Sequence, residues 1–199
     1  MTETVTLAPL SMPLRWELAP VSWKLDDGPT LTISAGAQTD MFVNPSGGEA
    51  VLNAPRLLGP AEGDFMLSAR VTVDFGATYD AGVLLLYGHE REWGKLCFEY
   101  SPQGQPMVVS VVTHGFSDDA NAFVVAGNQV WLRVARMGPA CAFHASTDGR
   151  YWQMIRHFAL QGPLAAGFVS QSPTGPGCTA TFDQIAFAPT RLAELRDGS

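Results

Sequence analysis

Residues 81–100, Ala81-Gly82-Val83-Leu84-Leu85-Leu86-Tyr87-Gly88-His89-Glu90-Arg91-Glu92-Trp93-Gly94-Lys95-Leu96-Cys97-Phe98-Glu99-Tyr100, hold two apolar runs joined by the short polar turn Gly88 to Glu92. Neither run carries a sustained helical period, so the pair reads as two antiparallel strands folded back on each other. Side chains alternate between the faces of a strand. Along Trp93 to Tyr100 one face therefore receives Gly94, Leu96, Phe98 and Tyr100, which is core, and the other receives Trp93, Lys95, Cys97 and Glu99.

The pattern repeats on either side. Val-, Phe-, Leu- and Trp-rich runs closed by Gly, Pro, Asn or Asp predict strands at Trp16 to Leu25, Thr30 to Ala35, Gly63 to Phe75, Ala81 to Tyr87 and Trp93 to Tyr100. Further strands are predicted at Met107 to Thr113, Phe123 to Val125, Val130 to Met137, Ala140 to Ser146, Trp152 to Phe158, Leu164 to Gln171 and Thr179 to Phe187. Ser146-Thr147-Asp148-Gly149 carries the Asp-Gly signal of a tight hairpin. Ala37 to Leu58, with Pro45, Gly47-Gly48 and Pro55, reads as a long loop, and Pro189 to Asp197 as a place for a short terminal helix. The expectation is an all-β protein, a two-sheet antiparallel β-sandwich of jelly-roll type forming one domain over residues 1–199.

Composition narrows the function classes. With 12 Lys and Arg against 19 Asp and Glu, the formal charge is -7, and no basic cluster suits a nucleic-acid backbone. No segment approaches the ~20 consecutive apolar residues that span a bilayer. Met1 to Pro13 includes Glu3, lacks a basic start and is broken by Pro9 and Pro13, so it does not read as a secretory signal. Cys97, Cys141 and Cys178 are widely spaced and form no Cys-x-x-Cys pair, as expected of small buried hydrophobes in a reducing, cytoplasmic setting. No cofactor is expected.

If the strands share one sheet, alternation gathers Trp93, Lys95, Glu99, Trp131, Arg133, His144 and Gln171 on its non-core face, with Tyr87 at the end of the neighbouring strand. Sugars present apolar ring faces to aromatic side chains and hydroxyl edges to polar ones, so this mixture suits a carbohydrate or sugar-like metabolite on a concave sheet face. The plain alternative is that the charges neutralise one another across strands while the Trp residues cover an edge.

Several blocks in order resemble a known family: Thr39-Asp40, Ala54-Pro55, Asp64-Phe65, Tyr79-Asp80-Ala81-Gly82 with Leu84 to Tyr87, Trp93 to Glu99, Ser117-Asp118-Asp119-Ala120-Asn121, Val130-Trp131-Leu132-Arg133, Ser146 to Gly149 with Trp152, and Gln171-Ser172-Pro173. They resemble the regulation-of-enolase-type proteins, a domain-of-unknown-function family among the concanavalin A-like lectins and glucanases. The resemblance runs from about Trp16 to Phe187 and implies a jelly roll with a ligand face. Gly94 departs from it, standing where a bulkier residue is expected.

Three readings follow. The first is a binding module using the residues above. The second is a regulatory protein-interaction domain acting on a metabolic enzyme, with a protein partner on the same face or on the Ala37 to Leu58 loop. The third is a glycoside hydrolase using Glu99, which needs a second carboxylate ~5–5.5 Å away in a retaining enzyme; Lys95-x-Cys97-x-Glu99 lacks it, leaving Asp40, Asp80 or Glu90 to supply it from a loop. Tyr79-Asp80 and His89-Glu90 are candidates to rim a pocket. Asp118, Asp119 and Asn121 are weak candidates for a metal, with turn formation the plainer explanation, and Asp148 is expected to bond its own turn.

Overall fold

The computed structural model describes residues 4–26 and 28–199; Glu3, used in the leader reading, lies outside them. The strands are β1 (Thr4–Val5), β2 (Leu14–Leu18), β3 (Ser22–Leu25), β4 (Leu31–Gly36), β5 (Met41–Phe42), β6 (Val51–Leu52), β7 (Arg56–Ala61), β8 (Phe65–Asp74) and β9 (Ala81–His89). They continue with β10 (Glu92–Tyr100), β11 (Pro106–His114), β12 (Phe116–Val124), β13 (Gln129–Met137), β14 (Ala140–Ser146), β15 (Gln153–Ala159), β16 (Leu164–Gln171) and β17 (Gly177–Ala188). Two antiparallel sheets form a sandwich. The first has the order β1-β2-β7-β16-β9-β10-β11-β12, the second β15-β14-β13-β8-β17-β4-β3, and β5 pairs with β6 in a small ribbon. This is the all-β, jelly-roll architecture expected from the sequence.

The core between the sheets is filled by the inward set of each strand, among them Leu84, Leu86, Leu96, Phe98, Leu132, Val134, Phe168 and Phe182, all fully buried. Gly94 belongs to that inward set. A Cβ at Gly94 would stand 2.9 Å from the Phe158 ring and 3.0 Å from Phe143, whose rings pack edge to face with centroids 4.7 Å apart. The missing side chain thus makes room for an aromatic pair from the facing sheet.

The first sheet is buried on its other face as well. Met41, Val43 and Ala54, from the segment between β4 and β7, pack on Val83, Leu85, Trp93, Cys97, Val109 and Val111. Burial from both sides explains why β9 reads as an unbroken apolar run. The covering segment is a strap tied down at both ends. Thr39 pairs with Ser172 beyond β16, while the Val43 amide donates to Ser117 Oγ and the Ser117 amide to Val43 O, both at 2.9 Å.

Several expectations change. Trp16 to Leu25 is two strands in different sheets, divided at Ala19-Pro20, where Pro removes a ladder donor. The end of the expected Ala37 to Leu58 loop is strand β7, and the strand expected at Phe123 to Val125 begins at Phe116. Pro189 to Asp197 forms turns and no helix, because Leu192 and Leu195 fold down onto the second sheet and leave too short a span for helix nucleation. Among the described residues no helix is long and apolar enough to cross a membrane. The three cysteines are free and buried; burial pushes the Cys141 thiol up to about 11 and the Cys178 thiol up to about 12.

Candidate functional site

Register fixes the outward side chains of the first sheet as rows. Gln171, Ala81, Glu99 and Met107 form one row across β16, β9, β10 and β11; Val169, Val83, Cys97, Val109 and Asn121 form the next, reaching β12; Gly167, Leu85, Lys95, Val111 and Asp119 form the third. Small and apolar residues between the polar ones leave a hollow. The strap closes one side with Asp40 and Phe42, and the turn before β9 closes another with Tyr79. The resulting cavity of about 280 Å³ is lined by Asp40, Phe42, Tyr79, Lys95, Glu99, Val109, Val111, Asp119 and Gln171.

Lys95 organises the floor. It is only 3% exposed, and its ammonium donates to Asp40 Oδ1 at 3.1 Å and to Gln171 Oε1 at 3.0 Å. Burial works against its charge, but Asp40, together with Cys97 and Glu99, more than offsets this and holds Lys95 above the usual lysine value. An ammonium has three donors, and among the described residues these two acceptors engage two of them. Asp40 is fixed in turn: its amide donates to Asn53 Oδ1 at 2.9 Å, and its own Oδ1 accepts the Met41 amide at 2.7 Å.

Glu99 is half-buried on the same wall. Burial pushes its carboxyl up to about 7, opposed by Lys95 and assisted by Asp40 and Asp119. Tyr79 sits at the mouth, 40% exposed, with φ of 69°, a left-handed conformation unusual for a bulky residue. That backbone is held by Asp80, which is fully buried: its carboxylate accepts the Gly76 and Ala77 amides at 2.9 and 2.8 Å and Ser172 Oγ–H at 2.6 Å. Asp80 is therefore a turn-holding group, and Tyr79 rims the pocket.

Of the residues expected together, Lys95, Glu99 and Gln171 meet in this cavity. Trp93 lies on the same face but is fully buried under the strap, its indole donating to Glu90 O at 3.3 Å, so it offers no stacking surface. Tyr87 faces a different depression beside Leu58 and Gly59, with the Arg56 guanidinium 5.4 Å from its ring centroid.

Trp131, Arg133 and His144 do not join the site, because β13 and β14 belong to the opposite sheet. Their outward face is covered by the chain after β17: Arg133 donates to Gly198 O and lies 3.7 Å over the Trp152 ring, while His144, fully buried, meets Leu195 O at 2.8 Å. Burial lowers the pKa of both groups. Trp131 donates to Gln184 Oε1 at 3.0 Å.

The metal candidates are also separated. Asp118, Asp119 and Asn121 lie on strand β12 rather than a loop, so Asp118 points away from the other two and pairs with Arg156 at 2.8 Å. Among the described residues no group of three or more His, Cys, Asp or Glu could hold a metal ion. Asp148 makes the expected turn, accepting the Arg150 and Tyr151 amides at 2.8 Å each.

Sequence reasoning missed Phe42, whose wall position depends on the strap crossing the sheet, and could not assign Asp40 or Asp119 to the pocket. The recurrence of Thr39-Asp40 among the family-like blocks was the available signal for the strap.

A functionally unknown protein from Saccharomyces cerevisiae has the same fold, with 22% identity and a TM-score of 0.83 over 92% of this chain and 98% of that one. The GH43 BlXynB protein from Bacillus licheniformis (13% identity, TM-score 0.68) and a xylan β-1,4-xylosidase from Bacillus halodurans C-125 (11%, 0.65) match over 89% and 83% of this chain, which spans 37% and 34% of theirs. These likenesses show the fold alone. No curated protein matches the chain. A family model covers residues 16–190, and on that match the chain belongs to the family described as "Protein of unknown function (DUF1349)".

Proposed function

We propose that the Lys95 cavity binds a small carbohydrate or sugar-like metabolite and performs no chemistry on it. The observation that carries this reading is a buried ammonium, oriented by Asp40 and Gln171, at the floor of a hollow walled by Phe42 and Tyr79. A volume of about 280 Å³ is just below the ~300–1,000 Å³ common for ligand pockets, which suits a ligand no larger than one sugar ring. The aromatic walls offer contact to the ring's apolar face, and Lys95, Gln171, Glu99 and Asp119 offer both donors and acceptors to its hydroxyls. The shared fold with a xylosidase-containing protein is consistent with a sugar ligand.

The hydrolytic reading has less support. Asp40, one of the loop carboxylates available to complement Glu99, is engaged by Lys95 and the Met41 amide.

Calorimetric titration with a panel of monosaccharides tests the proposal. At least one should bind, and Lys95→Met should remove binding at a temperature where circular dichroism shows the variant folded, since taking one partner from the Lys95–Asp40 pair lowers stability by about 3–5 kcal/mol. Equal binding by wild type and Lys95→Met would overturn it.

A further inference from the structure

Resting on that reading, we infer that the preferred ligand is a cationic, amine-bearing sugar or sugar-like molecule rather than a neutral or acidic one. The pocket brings together one cation, Lys95, and three carboxyl groups, Asp40, Glu99 and Asp119. Lys95 is already committed to Asp40 and Gln171. Among the described residues, no cationic side chain lies within ion-pair distance of Glu99 or Asp119, and neither side chain has a hydrogen-bond partner among them.

That contrasts with most of the carboxylates elsewhere on these sheets. Asp183 has Arg70, Asp118 has Arg156, Glu92 has His114 and Glu17 has Arg56. Glu99 is the half-buried case that faces a cavity, and a half-buried carboxyl lacking a partner carries a desolvation cost that a bound ammonium would offset. Burial holding Glu99 near 7 is consistent with that missing partner.

The walls point the same way. Phe42 and Tyr79 flank the hollow, and aromatic faces attract organic cations as well as sugar rings. An acidic sugar would set its carboxylate against Glu99 and Asp119, and the charge of its natural counter-ion, Lys95, is already offset by Asp40.

Titration at pH 7.5 with 6-amino-6-deoxyglucose, glucose and glucuronate, which differ only at one ring substituent, provides the test. The amine should bind at least tenfold more tightly than glucose, and glucuronate most weakly. Glu99→Gln should bring the amine to within about threefold of glucose. With Glu99 losing its proton near 7, amine affinity should rise between pH 6 and 8, with Lys95, Asp40, Asp119 and Tyr79 as the other ionisable groups on the walls. Glucose binding as tightly as the amine would overturn the charge preference and leave the sugar site standing. Absence of binding by all three would overturn both.

Discussion

Glu99 carries a consequence for stability that is independent of any ligand. A glutamate whose ordinary value is 4.5 titrates here near 7. Between those values the folded protein holds the proton and the unfolded chain does not, so the folded state binds more protons and stability falls as pH rises through the window. Below 4.5 both states are protonated and the residue costs nothing. Above 7 the full cost of a charge in a half-buried site is present, at most ~3 kcal/mol from the shift and, with water at the pocket mouth, on the order of 1–2 kcal/mol. Glu99→Gln should therefore be more stable than wild type by that amount near pH 8 and equal to it near pH 4.5 in urea denaturation. Equal stability at both would show the carboxylate to be fully hydrated.

The strap is the element on which the pocket depends. It supplies Asp40 and Phe42, and its far anchor is Ser117, whose hydroxyl accepts the Val43 amide and bonds Thr113 Oγ1 at 2.9 Å. Ser117→Ala leaves that buried amide without its side-chain acceptor, costing about 1–2 kcal/mol. Hydrogen exchange at Val43 should quicken more than exchange in β9 or β10, and ligand affinity should weaken through misplacement of Asp40. Unchanged exchange at Val43 would show the anchor to be dispensable. The sequence presented this element only as a long Pro- and Gly-punctuated segment, because a loop's path over a sheet is set by contacts far along the chain, here Thr39 with Ser172 and Val43 with Ser117.

At the scale of the whole molecule, the two outer faces of the sandwich are covered by separate segments of the chain. Residues after β17 cover the second sheet, burying Leu192 against Ala135, Met137 and Ala142. Removing residues 189–199 should cost about 2–4 kcal/mol through the lost apolar cover. The melting temperature should fall by roughly 5–15 °C. Ligand binding should be unchanged, because the Lys95 cavity lies across the core on the other sheet. A parallel loss of affinity would show that the faces communicate.

Alternation along each strand was readable from the chain itself. Lys95 and Glu99 do lie opposite Leu96 and Phe98, and Arg133 does share a face with Trp131, because side-chain direction is a local property of an extended backbone. Which strands become neighbours is not local. Partners such as β8 with β13 and β9 with β16 lie far apart in sequence, and their pairing sent Trp131, Arg133 and His144 to the opposite sheet from Lys95. The sequence by itself determined an all-β sandwich and the side each residue of a strand would take. Only the tertiary structure decided which of those sides would face one another, since long-range pairing and the course of the strap brought Asp40, Phe42 and Asp119 to Lys95.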